Sequence, residues 1–194
     1  MPVTYTNLKG QEYFLCKGLS SRGAVRYYFS PNPQPGILES LPEGYEIQES
    51  VNGRVSLVKS HPATIRPEEH SAVEQAVAKH PIARNYRVDV KGKQIIVYEN
   101  TGPDMDAILD AFQQAMPIPR TRVDTFLAKA ENFKHFSPIL RFTLMDPESR
   151  IFSVDRMYFL GEGGWRAISQ RGKVAELAKE LIPLLNTDEF FELF

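Results

Sequence analysis

Four short runs rich in aromatic and β-branched residues fill positions 12–59. They are residues 12–17, 25–29, 45–49 and 55–59. In the third, Tyr45, Ile47 and Glu49 alternate with Glu46 and Gln48, the two-residue period of a half-buried strand. The first two runs are joined by Ser20-Ser21-Arg22-Gly23 and the last two by Asn52-Gly53. Asn-Gly between strand-type runs predicts a two-residue type I′ turn, because both central residues of that turn need positive φ. Two β-hairpins are therefore expected. Between them Pro31, Pro33 and Pro35 remove backbone donors and fix φ, so residues 31–36 are irregular.

The period changes after residue 66. Pro67 suits a first helical turn, Glu68 and Glu69 suit the positive end of a helix, and Ala72, Val73, Ala76 and Val77 form a narrow apolar stripe that stops before Pro81. A third hairpin follows, 86–90 and 95–98 about Lys91-Gly92-Lys93, with Tyr86, Val88 and Val90 facing a core. Thr101-Gly102-Pro103 reads as a boundary. Beyond it, Met105, Ile108, Leu109, Phe112 and Met116 predict a helix over 104–116, and Val123, Phe126, Leu127, Ala130 and Phe133 predict another. Strands are expected at 138–145, 151–159 and 165–168. A last helix carries Val174, Leu177, Ala178, Leu181 and Leu185, kinked or shortened by Pro183. The pattern predicts an α+β fold with largely antiparallel sheets and a hairpin-rich N-terminal half. It predicts two units, 1–101 with three hairpins and one helix, and 102–194 with helices and antiparallel strands.

Composition narrows the function. A formal net charge of −1 gives no global field for nucleic acid or an acidic membrane. Cys16 is the single cysteine, so no intrachain disulfide forms, and a reducing, cytoplasmic setting is the simplest expectation. The start has no basic and apolar leader pattern, and no apolar run reaches the roughly 20 residues of a membrane-spanning helix.

No motif announces chemistry. His70 and Glu74 share a helix face at i, i+4, but no second histidine completes H-E-x-x-H. His61, His80 and His135 are scattered, and neither a metal nor a cofactor is expected. Cys16 reads as a small core residue. Asp104 and Asp106 fit the opening turn of a helix, with Asp110 on its exposed side. Gly161-Glu162-Gly163-Gly164 precedes a strand rather than a helix and lacks the lysine of a phosphate loop.

The first hairpin carries more. Tyr13, Tyr27, Tyr28 and Phe29 are interleaved with Lys17, Arg22 and Arg26, and aromatics with cations on a sheet can stack bases and hold phosphates. The candidate nucleic-acid-binding residues are Tyr13, Lys17, Arg22, Arg26 and Tyr28, in the hairpin 11–30. Against this, residues 1–61 hold six basic and five acidic side chains, and Tyr and Phe favour strands for packing reasons alone. Arg141, Arg150, Arg156 and Arg166 lie on or beside the later strands and offer a possible polar sheet face for an anion, with Asp146, Glu148 and Asp155 placed to pair with them.

The residues Tyr5-Thr6-Asn7, Lys9-Gly10, Tyr13, Gly18, Arg26-Tyr27-Tyr28-Phe29 and Pro42-Glu43-Gly44-Tyr45-Glu46-Ile47 resemble those of an uncharacterised group of bacterial proteins. That group has a similar aromatic hairpin and a similar segment before an Asn-Gly-type turn. The resemblance covers the first 60 or so residues. It implies a bacterial cytoplasmic setting and no activity.

Three functions follow from these readings. The preferred one is a non-enzymatic binding or adaptor protein with a protein partner, or a second copy of itself. The others are a nucleic-acid-binding protein using the hairpin 11–30, and a hydrolase or nuclease assembled from dispersed carboxylates such as Glu68, Glu69, Asp104 and Asp106. The apolar segment Phe190-Phe191-Glu192-Leu193-Phe194 is expected to dock on its own unit or on a partner.

Overall fold

The structure is a computed structural model that describes residues 1–103, 133–159 and 163–193. The helix predicted over 104–116 and the one predicted from Val123, Phe126, Leu127 and Ala130 fall outside the described residues. The fold is α+β with antiparallel sheets, as the pattern predicts. The chain divides into two compact units, one built on Met1–Pro62 and the other on Ala63–Gly102 with His135–Phe194.

The first unit holds strands β1 (Thr4–Thr6), β2 (Glu12–Leu19) and β3 (Val25–Ser30) in one sheet, and β4 (Tyr45–Glu49) with β5 (Val55–Lys59) as a separate hairpin. The segment after the prolines completes the edge of the first sheet beyond β1. Lys17 donates its N–H to Gly36, Leu38 to Leu15, and Val3 to Leu38. Both expected hairpins are present, but the Asn52-Gly53 turn is not the two-residue type I′ turn. Gly53 N–H returns to the Ser50 carbonyl at 2.8 Å, Ser50 N–H pairs with Arg54, and only Gly53 has positive φ, at 79°. This is a three-residue loop in which a tight turn is closed by a left-handed glycine.

The same loop recurs at Asn7-Leu8-Lys9-Gly10-Gln11 and at Ser20-Ser21-Arg22-Gly23-Ala24. In each, a Ser or Asn side chain accepts from the N–H four residues on, at 2.9–3.1 Å. The glycine takes φ of 75°, 76° or 79°. A polar side chain satisfies the donor that the turn leaves exposed, and glycine supplies the backbone shape. Among the described residues, three copies of one loop thus build the three reversals between paired strands of this unit.

The second unit is a five-stranded meander, ordered β10 (Gly164–Gly172), β9 (Ile151–Tyr158), β8 (Phe136–Asp146), β7 (Gln94–Asn100), β6 (Tyr86–Lys91). One face buries Tyr86, Ile95, Val97, Leu140, Phe142, Phe152, Val154 and Ile168 against helices α1 (Pro67–Ala78) and α2 (Val174–Leu181). The break expected after residue 101 falls within this sheet, because β7 before it pairs with β8 after it. The third hairpin and the first helix therefore belong with the C-terminal strands. α2 stops at Leu181, one residue before a short 3-10 turn containing Pro183, which shortens it as anticipated.

Two side-chain clusters fix this unit. Glu69 closes a reciprocal cap on α1 by accepting from Arg66 N–H at 2.8 Å, and the same carboxylate takes both Nε and an Nη of Arg150. Burial alone would raise the Glu69 carboxyl. The Arg150 and Arg66 hydrogen bonds and charges outweigh it and hold it below the usual range. The C-terminal segment docks on its own unit, the first of the two alternatives. Phe190, in α3 (Asp188–Glu192), is fully buried in the core, and buried Arg156 donates to the carbonyls of Leu193 at 2.9 Å and Phe191 at 3.0 Å.

Candidate ligand-binding cleft

A cleft of about 670 Å³ opens in the first unit between the outer edge of β3 and the 52–57 stretch of the second hairpin. Its position follows from two polar clamps. The Asn7 Oδ1 accepts the N–H groups of Lys9 and Gln11 and so shapes its own loop. Its Nδ2, buried, donates to the Gly53 carbonyl at 2.7 Å. Glu49 makes the second clamp, accepting from the Tyr5 hydroxyl at 2.9 Å and from Leu8 N–H at 2.7 Å. The Glu49 hydrogen bond, burial and the carboxylate charge together raise the Tyr5 phenol. Tyr27 packs edge-on against Tyr45 with ring centroids 5.4 Å apart. These contacts seat the loop bearing Lys9 beside the loop bearing Arg54.

Three cations, Lys9, Arg26 and Arg54, line the cleft, and among the described residues no carboxylate does. That separation is the informative fact, since residues 1–61 are nearly charge-balanced. Three of the six bases face one concavity and none of the five acids does. Tyr13, Tyr27, Tyr28 and Phe29 supply its aromatic surface. The Tyr28 ring lies against Gly18, where an added Cβ would stand 3.2 Å from Cε1. Its hydroxyl bonds Gln34 at 3.1 Å, and the Arg26 guanidinium sits 5.2 Å over the ring centre. Such a ring is fixed in orientation before any ligand arrives.

The five candidates from sequence divide. Tyr13, Arg26 and Tyr28 line the cleft; Lys17 and Arg22 do not. In the strand register Lys17 sits opposite Tyr27, with Tyr13 on the same face, whereas Arg26 and Tyr28 lie on the other, so residues of both faces line the cleft at the edge of β3. Arg22 lies in the loop at the far end of β2 from Lys9, and eight strand residues separate those ends, about 26 Å. Lys9, Asn52 and Arg54 went unnoticed because their common position depends on contacts between residues more than 40 apart. The signal available was the repeated Ser/Asn-x-x-Gly loop, each copy carrying one base.

The other expectations resolve elsewhere. Glu69 is committed to Arg150 and Glu68 is exposed. Asp104 and Asp106 lie outside the described residues. The four later arginines do not form one face. Arg141 pairs with Asp155 at 3.1 Å under the Trp165 ring, whereas Arg156 is buried on the helix-covered side. Arg150 sits in a turn with φ 54°, and Arg166 lies over Tyr158. His80 is buried, its Nδ1 accepting from Ile82 N–H so that Nε2 donates to the Leu185 carbonyl. Burial pushes the Cys16 thiol up, partly offset by a backbone hydrogen bond at Gln34, which leaves it unsuited to nucleophilic work.

Among the described residues no group of three His, Cys, Asp or Glu side chains is placed to hold a metal ion, and no helix is long and apolar enough to cross a membrane. Comparison with known proteins adds no relative: no family model, no curated protein and no solved structure matches the chain.

Proposed function

We propose that the protein is a non-enzymatic binding protein whose first unit takes an anionic ligand in the cleft between β3 and the second hairpin. The observation that carries this is the sorting of charge: Lys9, Arg26 and Arg54 line a concavity that, among the described residues, no acidic side chain lines. Low-dielectric walls focus the field of such a cleft and raise the local concentration of anions. Among the described residues no nucleophile paired with a base lines it, so binding rather than turnover is the chemistry on offer. A cytoplasmic setting agrees with one buried, unpaired cysteine.

The test is a titration of the ¹⁵N-labelled chain with inorganic tripolyphosphate. Amide shifts are expected at residues 7–11, 26–29 and 52–57, and are expected to vanish in the Arg26→Glu, Arg54→Glu double variant. Shifts confined to other regions, or none at all, would refute the reading. A protein partner is the second reading, and Leu19 and Val25 favour it. They pair at the tip of the first hairpin and are 70% and 52% exposed. Capture of a partner lost on Leu19→Ser, with the cleft variants unaffected, would select it.

A further inference from the structure

The ligand of this cleft can be named more narrowly, and the narrower reading rests on the anionic-ligand proposal above. We infer that the cleft takes an acidic peptide segment in extended form, which adds a strand to the outer edge of β3 and sets its carboxylates against Arg26 and Arg54.

Arg26, Tyr27, Tyr28 and Phe29 all line the cleft, and so does every residue from 52 to 57. Successive strand residues send their side chains to opposite faces, so an unbroken run of lining residues marks a strand edge rather than a face. Hydrogen-bond parity fixes what the edge of β3 displays. The N–H groups of Leu15 and Lys17 point away from β3, to the carbonyls of Val3 and Gly36. Their partners in the register, Phe29 and Tyr27, therefore turn their own N–H and C=O groups away from β2 and toward the cleft. On the facing wall, Ser50 N–H bonds the Arg54 carbonyl and Ser60 N–H the Gly44 carbonyl. The same alternation pairs Ser56 with Gln48 and turns the main chain of Val55 and Leu57 outward. Among the described residues β3 ends its sheet, and no group pairs with the outward main chain of Tyr27 or Phe29. A row of such groups is a template for an added strand.

Charge and span select the partner. Arg54 follows Gly53, whose carbonyl is clamped by Asn7 at the head of β2. Arg26 stands opposite Gly18, and from Glu12 to Gly18 is about 20 Å of strand. A compact anion cannot meet both arginines, whereas an extended segment of about six residues covers that length. Carboxylates on such a segment complement a cleft that, among the described residues, no acid lines. The rings do not suit a nucleic-acid strand in the same place. Tyr13 and Tyr27 lie on one face of the sheet and Tyr28 on the other, so they make no single row on which successive bases could stack.

The test uses the ¹⁵N-labelled full chain and a peptide of about eight residues that alternates glutamate with threonine. The peptide is expected to bind and to slow hydrogen exchange at the Tyr27 and Phe29 amides by about tenfold or more. The Arg26 and Tyr28 amides, already bonded to β2, are expected to stay as they are. Two ester analogues of the peptide each lack alternate N–H groups and keep its charge. The one that loses the donors facing β3 is expected to bind about tenfold more weakly than the parent. Arg54→Ala is expected to weaken the peptide roughly threefold and to flatten its salt dependence. Arg54 is exposed, and the variant is first shown to keep the wild-type amide spectrum; Arg26→Ala stands in if it does not.

Binding of the peptide without protection of Tyr27 and Phe29, or with both ester analogues as tight as the parent, would overturn strand addition and leave the anion cleft standing. Binding of tripolyphosphate but not of the peptide would overturn it in the same way. So would tighter binding of an oligothymidylate of equal charge. Binding of none of these probes, or binding that neither arginine substitution alters, would overturn both readings together.

Discussion

Gly53 is the residue on which the cleft depends most directly, and for two independent reasons. Its φ of 79° lies in the left-handed region that side chains disfavour. A Cβ there would also stand 3.1 Å from Asn7 Nδ2 and 3.3 Å from Lys9 Cγ, so it would press on the clamp itself. Gly10 has almost the same φ, 75°, with nothing within 4 Å of an added Cβ. The pair separates backbone strain from crowding. Gly10→Ala is expected to cost about 1 kcal/mol and Gly53→Ala about 1 kcal/mol more, measured by urea unfolding followed through circular dichroism. Equal costs would mean that the Asn7 clamp yields without penalty. Sequence made the hairpin around Asn52-Gly53 legible, because turn residues and strand alternation are local. It did not give the turn type, since Ser50 Oγ caps Arg54 N–H and Asn52 keeps an ordinary negative φ. A dipeptide rule sees neither the serine two residues before nor the asparagine 46 residues away.

At the scale of elements, two carboxylates of the second unit, Glu69 buried and Glu99 half-buried, should respond to pH in opposite directions. Glu69 joins the start of α1 to Arg150 in the β8–β9 turn, and its folded pKa is depressed. Its stabilisation is therefore complete above the usual carboxylate range and is lost as pH falls through the folded pKa. Glu69→Gln is expected to destabilise by about 1–3 kcal/mol at pH 7 and by much less near pH 3. Glu99, at the end of β7, behaves inversely. Burial raises its carboxyl, and the Tyr86 hydroxyl bonded at 3.2 Å only partly counters that. A raised carboxyl favours the folded state at low pH and loses that advantage as pH climbs from the unfolded value through the folded one. Glu99→Gln mimics the protonated form, so its stability relative to wild type is expected to improve between about pH 4 and pH 7. Trp165, the single tryptophan, lies in β10 of the same unit and reports its unfolding by fluorescence. Parallel pH trends for the two variants would contradict the opposed shifts. The elements themselves were largely readable, Pro67-Glu68-Glu69 announcing α1 and the Tyr86, Val88, Val90 alternation announcing β6. The Glu69–Arg150 bond was not, because it joins residues 81 apart.

For the whole molecule, the described parts of the two units show different contacts. Among the described residues the first buries Leu15, Cys16 and Val55 as apolar core and joins its loops through the Asn7 and Glu49 clamps. The second has an extended apolar core that the segment around Phe190 completes. The apolar character of that segment was visible in sequence; that Arg156, on a strand 35 residues earlier, would hold its backbone was not. Arg156 is 3% exposed, and its guanidinium donates to two carbonyls of the segment, a pairing that offsets the cost of burying the charge. Removing residues 188–194 would both open the Phe190 site and take those two acceptors away. Phe190→Ala alone is expected to cost about 3–5 kcal/mol, and the truncation more. The two contributions can be separated by Arg156→Met, which substitutes an apolar side chain of comparable reach. In the full chain it should destabilise, by about 1–3 kcal/mol, because Phe191 and Leu193 lose their donors. In the truncated chain it should cost less or become stabilising, because it removes a buried cation deprived of those partners. The measurement is a double-mutant cycle of thermal and urea unfolding read from Trp165 fluorescence. Equal effects of Arg156→Met in both backgrounds would show that the guanidinium and the C-terminal segment are energetically independent, and the segment would then be held by Phe190 alone.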